Sequence, residues 1–125
     1  MIATISLQHP VLFVFDHANP ATQFPEIGEG LVSATASCVA VVVVSETDGP
    51  VVVTLGNSAA PARAERVFVG NLAVRSGEIA VVTSANEIVL QTEAPQPEAA
   101  VAIFVNDPVH PTQLWVVVES NRRSN

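Results

Sequence analysis

The chain has 125 residues, 49% of them apolar and only 5% aromatic, with a single cysteine. That is enough for one domain with a full core, so neither a disulfide nor a structural metal is required to hold it. Twelve acidic residues stand against five arginines and no lysine, a net charge of −7, which repels phosphate backbones and argues against direct nucleic-acid binding.

The first residues, MIATISLQHP, lack a basic stretch followed by an apolar one. No secretory signal is expected, and the cytoplasm is the expected compartment. ATISL and VLFVFD are strand candidates. In the second, Phe13 and Phe15 fall on one face and Leu12 and Val14 on the other. The segment DHANPATQFPEIGEG is a polar, acidic loop of about 15 residues, broken by prolines and glycines. LVSATAS alternates and leads into the most unusual stretch of the chain.

That stretch is CVAVVVVSETDGPVVVTL, residues 38–55. Seven apolar residues in a row fall short of the about 20 a membrane helix needs and of the about 9–11 a membrane strand needs. Consecutive valines crowd one another on a helix and suit a pleated sheet. Asp48-Gly49-Pro50 then signals a turn. The expectation is a β-hairpin whose strands are apolar on both faces. The outer face of 38–44 is covered by a loop of the fold or by another chain, or its valines are simply tolerated in the open. Cys38 inside this run is expected to be buried and inert.

GNSAAPARAER allows at most one helical turn, because Pro61 interrupts it. VFVGNLAV is a strand with a kink or bulge at Gly70-Asn71. RSGE is a tight turn between it and EIAVVTS, which is followed by NEIVLQTE. After the proline-bounded loop EAPQPEA come AAVAIFV, the turn NDPVHP and QLWVVVE. Trp115 in the last of these is expected to anchor the core. SNRRSN reads as a disordered polar tail over 120–125. About nine strands with negligible helix make the chain all-β, an antiparallel β-sandwich with Greek-key or jelly-roll connections and a single domain over 1–119.

Catalytic material is sparse. No His-x-His or helical His pair supports a metal site; the weak candidates are His17, Asp107 and His110. No nucleophile elbow supports a Ser-His-Asp triad, and the glycines are too scattered for a phosphate loop. No cofactor is expected. The carboxylates are more telling. Asp16, Glu26 and Glu29 share the long acidic loop, and Glu46 and Asp48 sit at the turn after the valine run. Their common sign and loop placement suit a basic protein partner.

The segment ARAERVFVGNLAVRSGEIAVVTSANEI resembles the competence-J-like family. Arg63 and Arg66 precede Val67-Phe68-Val69; Ser76-Gly77 supplies a turn; Glu78-Ile79 opens the next strand and Thr83-Ser84 closes it. Upstream, PEIGEGLVSATASCVAVVV is similar to the family's acidic loop, which passes through Gly30-Leu31 into a sheet strand. The sequence departs from the pattern where Gly70-Asn71-Leu72 replaces a Pro-Phe step, and where PQPEAA lacks a Gly-x-Tyr turn. An aromatic expected in the acidic loop has only Phe24 to fill it. The resemblance covers about residues 11–105. It implies a small β-sandwich that acts by binding, the type member being an inhibitor of a DNA-entry nuclease.

Sequence and resemblance together give a non-enzymatic acidic protein-binding module, an inhibitor of a basic partner such as a nuclease, with no membrane or nucleic-acid partner. Two alternatives stay open. One is a self-assembling β-protein, a homo-oligomer formed through the Val-rich strand 38–44. The other is a metal or small-ligand binder using the loop histidines.

Overall fold

The computed structural model describes residues 1–120. Ten strands form: β1 (Ile2–Ile5), β2 (Val11–Phe15), β3 (Val32–Ala34), β4 (Cys38–Val42), β5 (Val51–Gly56), β6 (Glu65–Ala73), β7 (Glu78–Thr83), β8 (Ile88–Glu93), β9 (Glu98–Val105) and β10 (Gln113–Val118). The only helical piece among the described residues is a 3-10 turn, Glu46–Asp48. Of the tail expected over 120–125, all but Ser120 lies outside the described residues.

The strands make two five-stranded sheets. The first has the order β1-β5-β10-β9-β6 and the second β3-β4-β2-β7-β8. Every neighbouring pair is antiparallel except β5 and β10, which run parallel. Strict alternation sends one side of each strand inward. Val51, Val53 and Leu55 of β5, Leu114, Val116 and Val118 of β10, and Val101, Ile103 and Val105 of β9 meet Leu12, Val14, Val39, Val41, Ile79 and Val81 of the second sheet. Each such side chain contributes roughly 1.5–3 kcal/mol by leaving water, so the core is built of many small aliphatic pieces rather than a few aromatic ones.

The valine run resolves differently from the expected hairpin. β4 pairs with β2 and β3, whereas β5 pairs with β1 and β10. The segment between them crosses from one sheet to the other, through the 3-10 turn and Gly49, whose φ of +114° is the glycine-favoured region. Local turn chemistry is the same for a hairpin and for such an arch. What separates them is the partner each strand finds.

Strand β4 is buried on both faces by the chain itself. Val39 and Val41 face the main core. On the other side Cys38 joins Phe15, Ala80 and Val82 in a second small core, with Phe13 packed against it. The acidic loop closes over these residues. Phe24 sets its ring edge-on to Phe13 at 5.8 Å and to Phe15 at 5.0 Å. The loop is tied down where Gln23 N donates to Ser37 Oγ (2.8 Å) and Thr35 Oγ1 donates to Gln23 O. Cys38 to Val41, Val43 and Val44 are buried within the chain itself, so of the run expected to form an oligomer contact only Val42 is partly exposed.

Two smaller expectations also change. Trp115 points away from the core, on the outer face of the first sheet, where it pairs in register with Phe104 and Thr54. The irregularity of β6 falls between Arg66 and Phe68 rather than at Gly70. Gly70 instead lies under the Phe68 ring, and a Cβ there would come within 3.0 Å of Phe68 Cζ.

Candidate functional site

From the last residue of β4 onward the backbone leaves the sheet but keeps donating hydrogen bonds. Val42 N donates to Leu31 O (2.9 Å), Val43 N to Pro10 O (2.9 Å) and Val44 N to Pro111 O (3.1 Å). Three consecutive amides thus join three separate loops, those entering β3, β2 and β10. The apolar run is longer than its strand because its last residues weld one end of the sandwich together, with Val43 and Val44 buried beneath.

Above this weld lies an open groove of about 490 Å³, bordered by Glu29, Asp48, Val109 and His110. Its most prominent wall is the turn between β9 and β10. Asn106 Oδ1 accepts from Thr112 N and Gln113 N, both at 3.0 Å, and its Nδ2 donates to Thr112 Oγ1 at 2.8 Å. Asp107 Oδ1 accepts from Val109 N (2.9 Å), an Asx turn that sets the tip. Pro108 and Pro111 restrict the backbone on either side. The result holds Val109 out with 91% of its surface exposed. Single exposed valines are common. This one differs in standing on a turn locked by four side-chain bonds, beside two carboxylates.

The five carboxylates expected to meet a partner fall in different places. Glu29 and Asp48 share the groove. Glu46 borders a second open groove of about 520 Å³ between β1 and β8, with His9 and Glu87. Glu26 is exposed in the acidic loop just after Pro25. Asp16 is inside: it is 1% exposed. Its Oδ1 accepts from Ala18 N (3.1 Å) and Ser76 Oγ (2.7 Å), and its Oδ2 from Arg75 N (2.8 Å) and Ser76 N (2.7 Å). Burial alone would raise its pKa. The bonds from Ser76, Arg75 and Ala18 outweigh burial and hold the carboxyl below its ordinary value. Asp16 is thus a clamp between the end of β2 and the β6–β7 turn, and its oxygens face the interior.

The three candidate metal ligands do not converge. His17 Nε2 lies 3.0 Å from Asn86 Oδ1, and its ring leans on Phe15, outside the second sheet. Asp107 spends an oxygen on the Asx turn, and His110 faces the groove. Among the described residues no group of three metal-ligating side chains occurs. Nor is any helix there long and apolar enough to cross a membrane. Cys38 is fully buried, and burial pushes its thiol up to about 12, so it stays protonated and unreactive.

Sequence reasoning passed over Val109. Its signal was present in NDPVHP, where an apolar residue stands between two prolines with an Asx-turn former two positions before it.

The fold is similar to a known one. The chain superposes on the crystal structure of ComJ, inhibitor of the DNA-degrading activity of NucA, from Bacillus subtilis. The TM-score is 0.66 over 96% of this chain and 95% of that one, with 11% sequence identity. The competence-J-like resemblance in the sequence therefore holds at the level of the fold. No family model matches the chain, and no curated protein matches it in sequence.

Proposed function

We propose that this chain is a non-enzymatic protein-binding module that docks a basic partner at its carboxylate-bordered end, and that the partner is a DNA-degrading nuclease. The observation that carries the reading is the rigid, exposed Val109 beside Glu29 and Asp48. An apolar knob inside an anionic border combines an anchor for a partner pocket with charges that steer a basic surface toward it. Pre-setting the turn reduces the ordering cost of binding. The fold shared with a nuclease inhibitor supports the choice of partner, and the net charge of −7 attracts a partner that is basic because it binds DNA itself.

The test is affinity capture from the source cell on the immobilised protein, with elution by salt. The eluate is assayed for degradation of plasmid DNA, with and without added free protein. The expected result is a retained nuclease whose activity falls as the protein is added. An eluate without nuclease activity, or one the free protein leaves unchanged, refutes the nuclease assignment.

A further inference from the structure

A sheet edge offers backbone amides and carbonyls to any chain that comes alongside, and folded proteins defend such edges with charges, prolines, bulges or shortness. Of the outer strands here, β3 is three residues long. β6 carries Glu65, Arg66 and the irregularity before Phe68. β8 ends on Glu93 and has Val89 as an extra residue at the Val81–Val82 step. β1 has no charge, no proline and an unbroken register. Its extended backbone stays bonded past both strand ends: Leu55 N donates to Met1 O (2.9 Å) and Glu46 N to Leu7 O (2.6 Å). Antiparallel pairing alternates. Met1, Ala3, Ile5 and Leu7 therefore turn their backbone polar groups toward these partners, and Ile2, Thr4 and Ser6 turn theirs outward. Among the described residues no strand pairs with that outward side and no loop backbone bonds to it.

Beside this edge runs the open groove of about 520 Å³ between β1 and β8. Its apolar lining includes Ala3 and Ile5 from one strand and Ile88 and Val89 from the other, with Ile88 44% exposed. Glu46 and Glu87, both exposed, border it, and no arginine does. Glu46 opens the 3-10 turn whose last residue, Asp48, borders the Val109 groove. The two grooves thus share one acidic turn. We propose that an extended segment of the basic partner adds to the first sheet as a further strand along β1. Its backbone bonds to Ile2, Thr4 and Ser6. Apolar side chains at alternate positions enter the groove against Ile5 and Ile88, and a lysine or arginine at the segment's end meets Glu46 and Glu87. Main-chain bonds supply affinity in this mode, and the pockets and charges supply selectivity. The proposal rests on the reading of a basic protein partner. Its test contains no nuclease, so the two can fail separately.

The probe is a synthetic peptide, acetyl-RVTVTVR-amide, with acetyl-EVTVTVE-amide as its acidic counterpart. Calorimetry should give a Kd of about 10–300 µM for the first and an affinity at least about tenfold lower for the second. Amide hydrogen exchange followed by NMR should show Ile2, Thr4 and Ser6 exchanging freely in the protein alone and protected once the arginine peptide is bound. Thr4→Pro removes an outward N–H and leaves the bonds to β5 in place. It should keep Tm within about 3 °C of wild type and weaken the arginine peptide at least about tenfold. No binding at about 1 mM overturns the proposal, as does equal binding of the two peptides or a Thr4→Pro protein that binds as wild type does. Protection that appears at Gln91 and Glu93 instead places the added strand on β8 and overturns it as well. So does protection of Ile2, Thr4 and Ser6 before any peptide is added, which would mean that a second copy or the chain itself already fills the edge.

Discussion

Replacing Asp16 with alanine should be among the most damaging single changes in the protein. Asp16 sits at the end of β2 and accepts two backbone amides and one hydroxyl from Arg75 and Ser76, some 60 residues along the chain. In Asp16→Ala these donors lose their acceptor inside the fold. Hydrogen bonds to a charged group contribute about 1.5–3 kcal/mol each, and each orphaned donor carries its own desolvation cost. The bonds share one acceptor and do not add fully, so a loss of about 3–5 kcal/mol is expected. For a domain of this size that lowers Tm by about 10–20 °C. Asp16→Asn keeps one acceptor oxygen and should fall between. The pH dependence has a definite sign. The folded pKa lies below the ordinary 3.8, so this contribution is complete above that value and is lost as pH falls through the folded one. Thermal melts by circular dichroism at pH 7 and in steps down to about pH 2.5 measure both effects. An alanine variant melting within about 3 °C of wild type at pH 7 would refute the clamp, as would an Asp16→Asn protein whose decline in acid is as steep as that of wild type.

Other outcomes follow from the same packing. Phe24→Ala should uncover the outer core of Phe13, Phe15 and Cys38, cost about 1–2 kcal/mol because Phe24 is only partly buried, and increase binding of an apolar dye. Cys38 should not react with a thiol reagent in the native protein at pH 8, and should react once denaturant is added, since its folded pKa is about 12. Gly77→Ala should destabilise by about 1 kcal/mol, read from a urea midpoint, because Gly77 holds φ at +87° in the turn that Asp16 clamps. Val109→Asp should leave Tm within about 2 °C of wild type, and should weaken partner binding at least about tenfold by removing the apolar anchor.

Much of the strand content was legible because alternation is a local property. In VLFVFD the assignment of Leu12 and Val14 to one face and Phe13 and Phe15 to the other is what the sheet shows. The unbroken run at 38–44 implied a strand covered on both sides, by a loop or by another chain, and Cys38 to Val41 are buried within the chain itself. Pairing partners were not legible. SETDGP is equally good chemistry for a hairpin and for an arch, and only the crossing of β5 to β1 and β10 decides between them. Trp115 misled because a tryptophan among valines suggests a core anchor, while its parity in β10 puts it outside. Asp16 misled in the opposite sense. Its composition and loop position matched those of Glu26 and Glu29, and nothing local records that two amides from residues 75 and 76 arrive to bury it. The weld at Val42 to Val44 was not legible, because seven apolar residues are an ordinary strand length and nothing local marks where the strand stops.

The most direct test of the binding reading is the affinity of the captured partner for wild type and for a Glu29→Gln, Asp48→Asn double variant, measured by calorimetry across a series of salt concentrations. If the groove carboxylates meet a basic surface, wild-type affinity falls steadily as salt rises. The double variant binds more weakly at low salt and has a shallower slope. Equal affinities and equal slopes for the two proteins would place the contact elsewhere on the molecule.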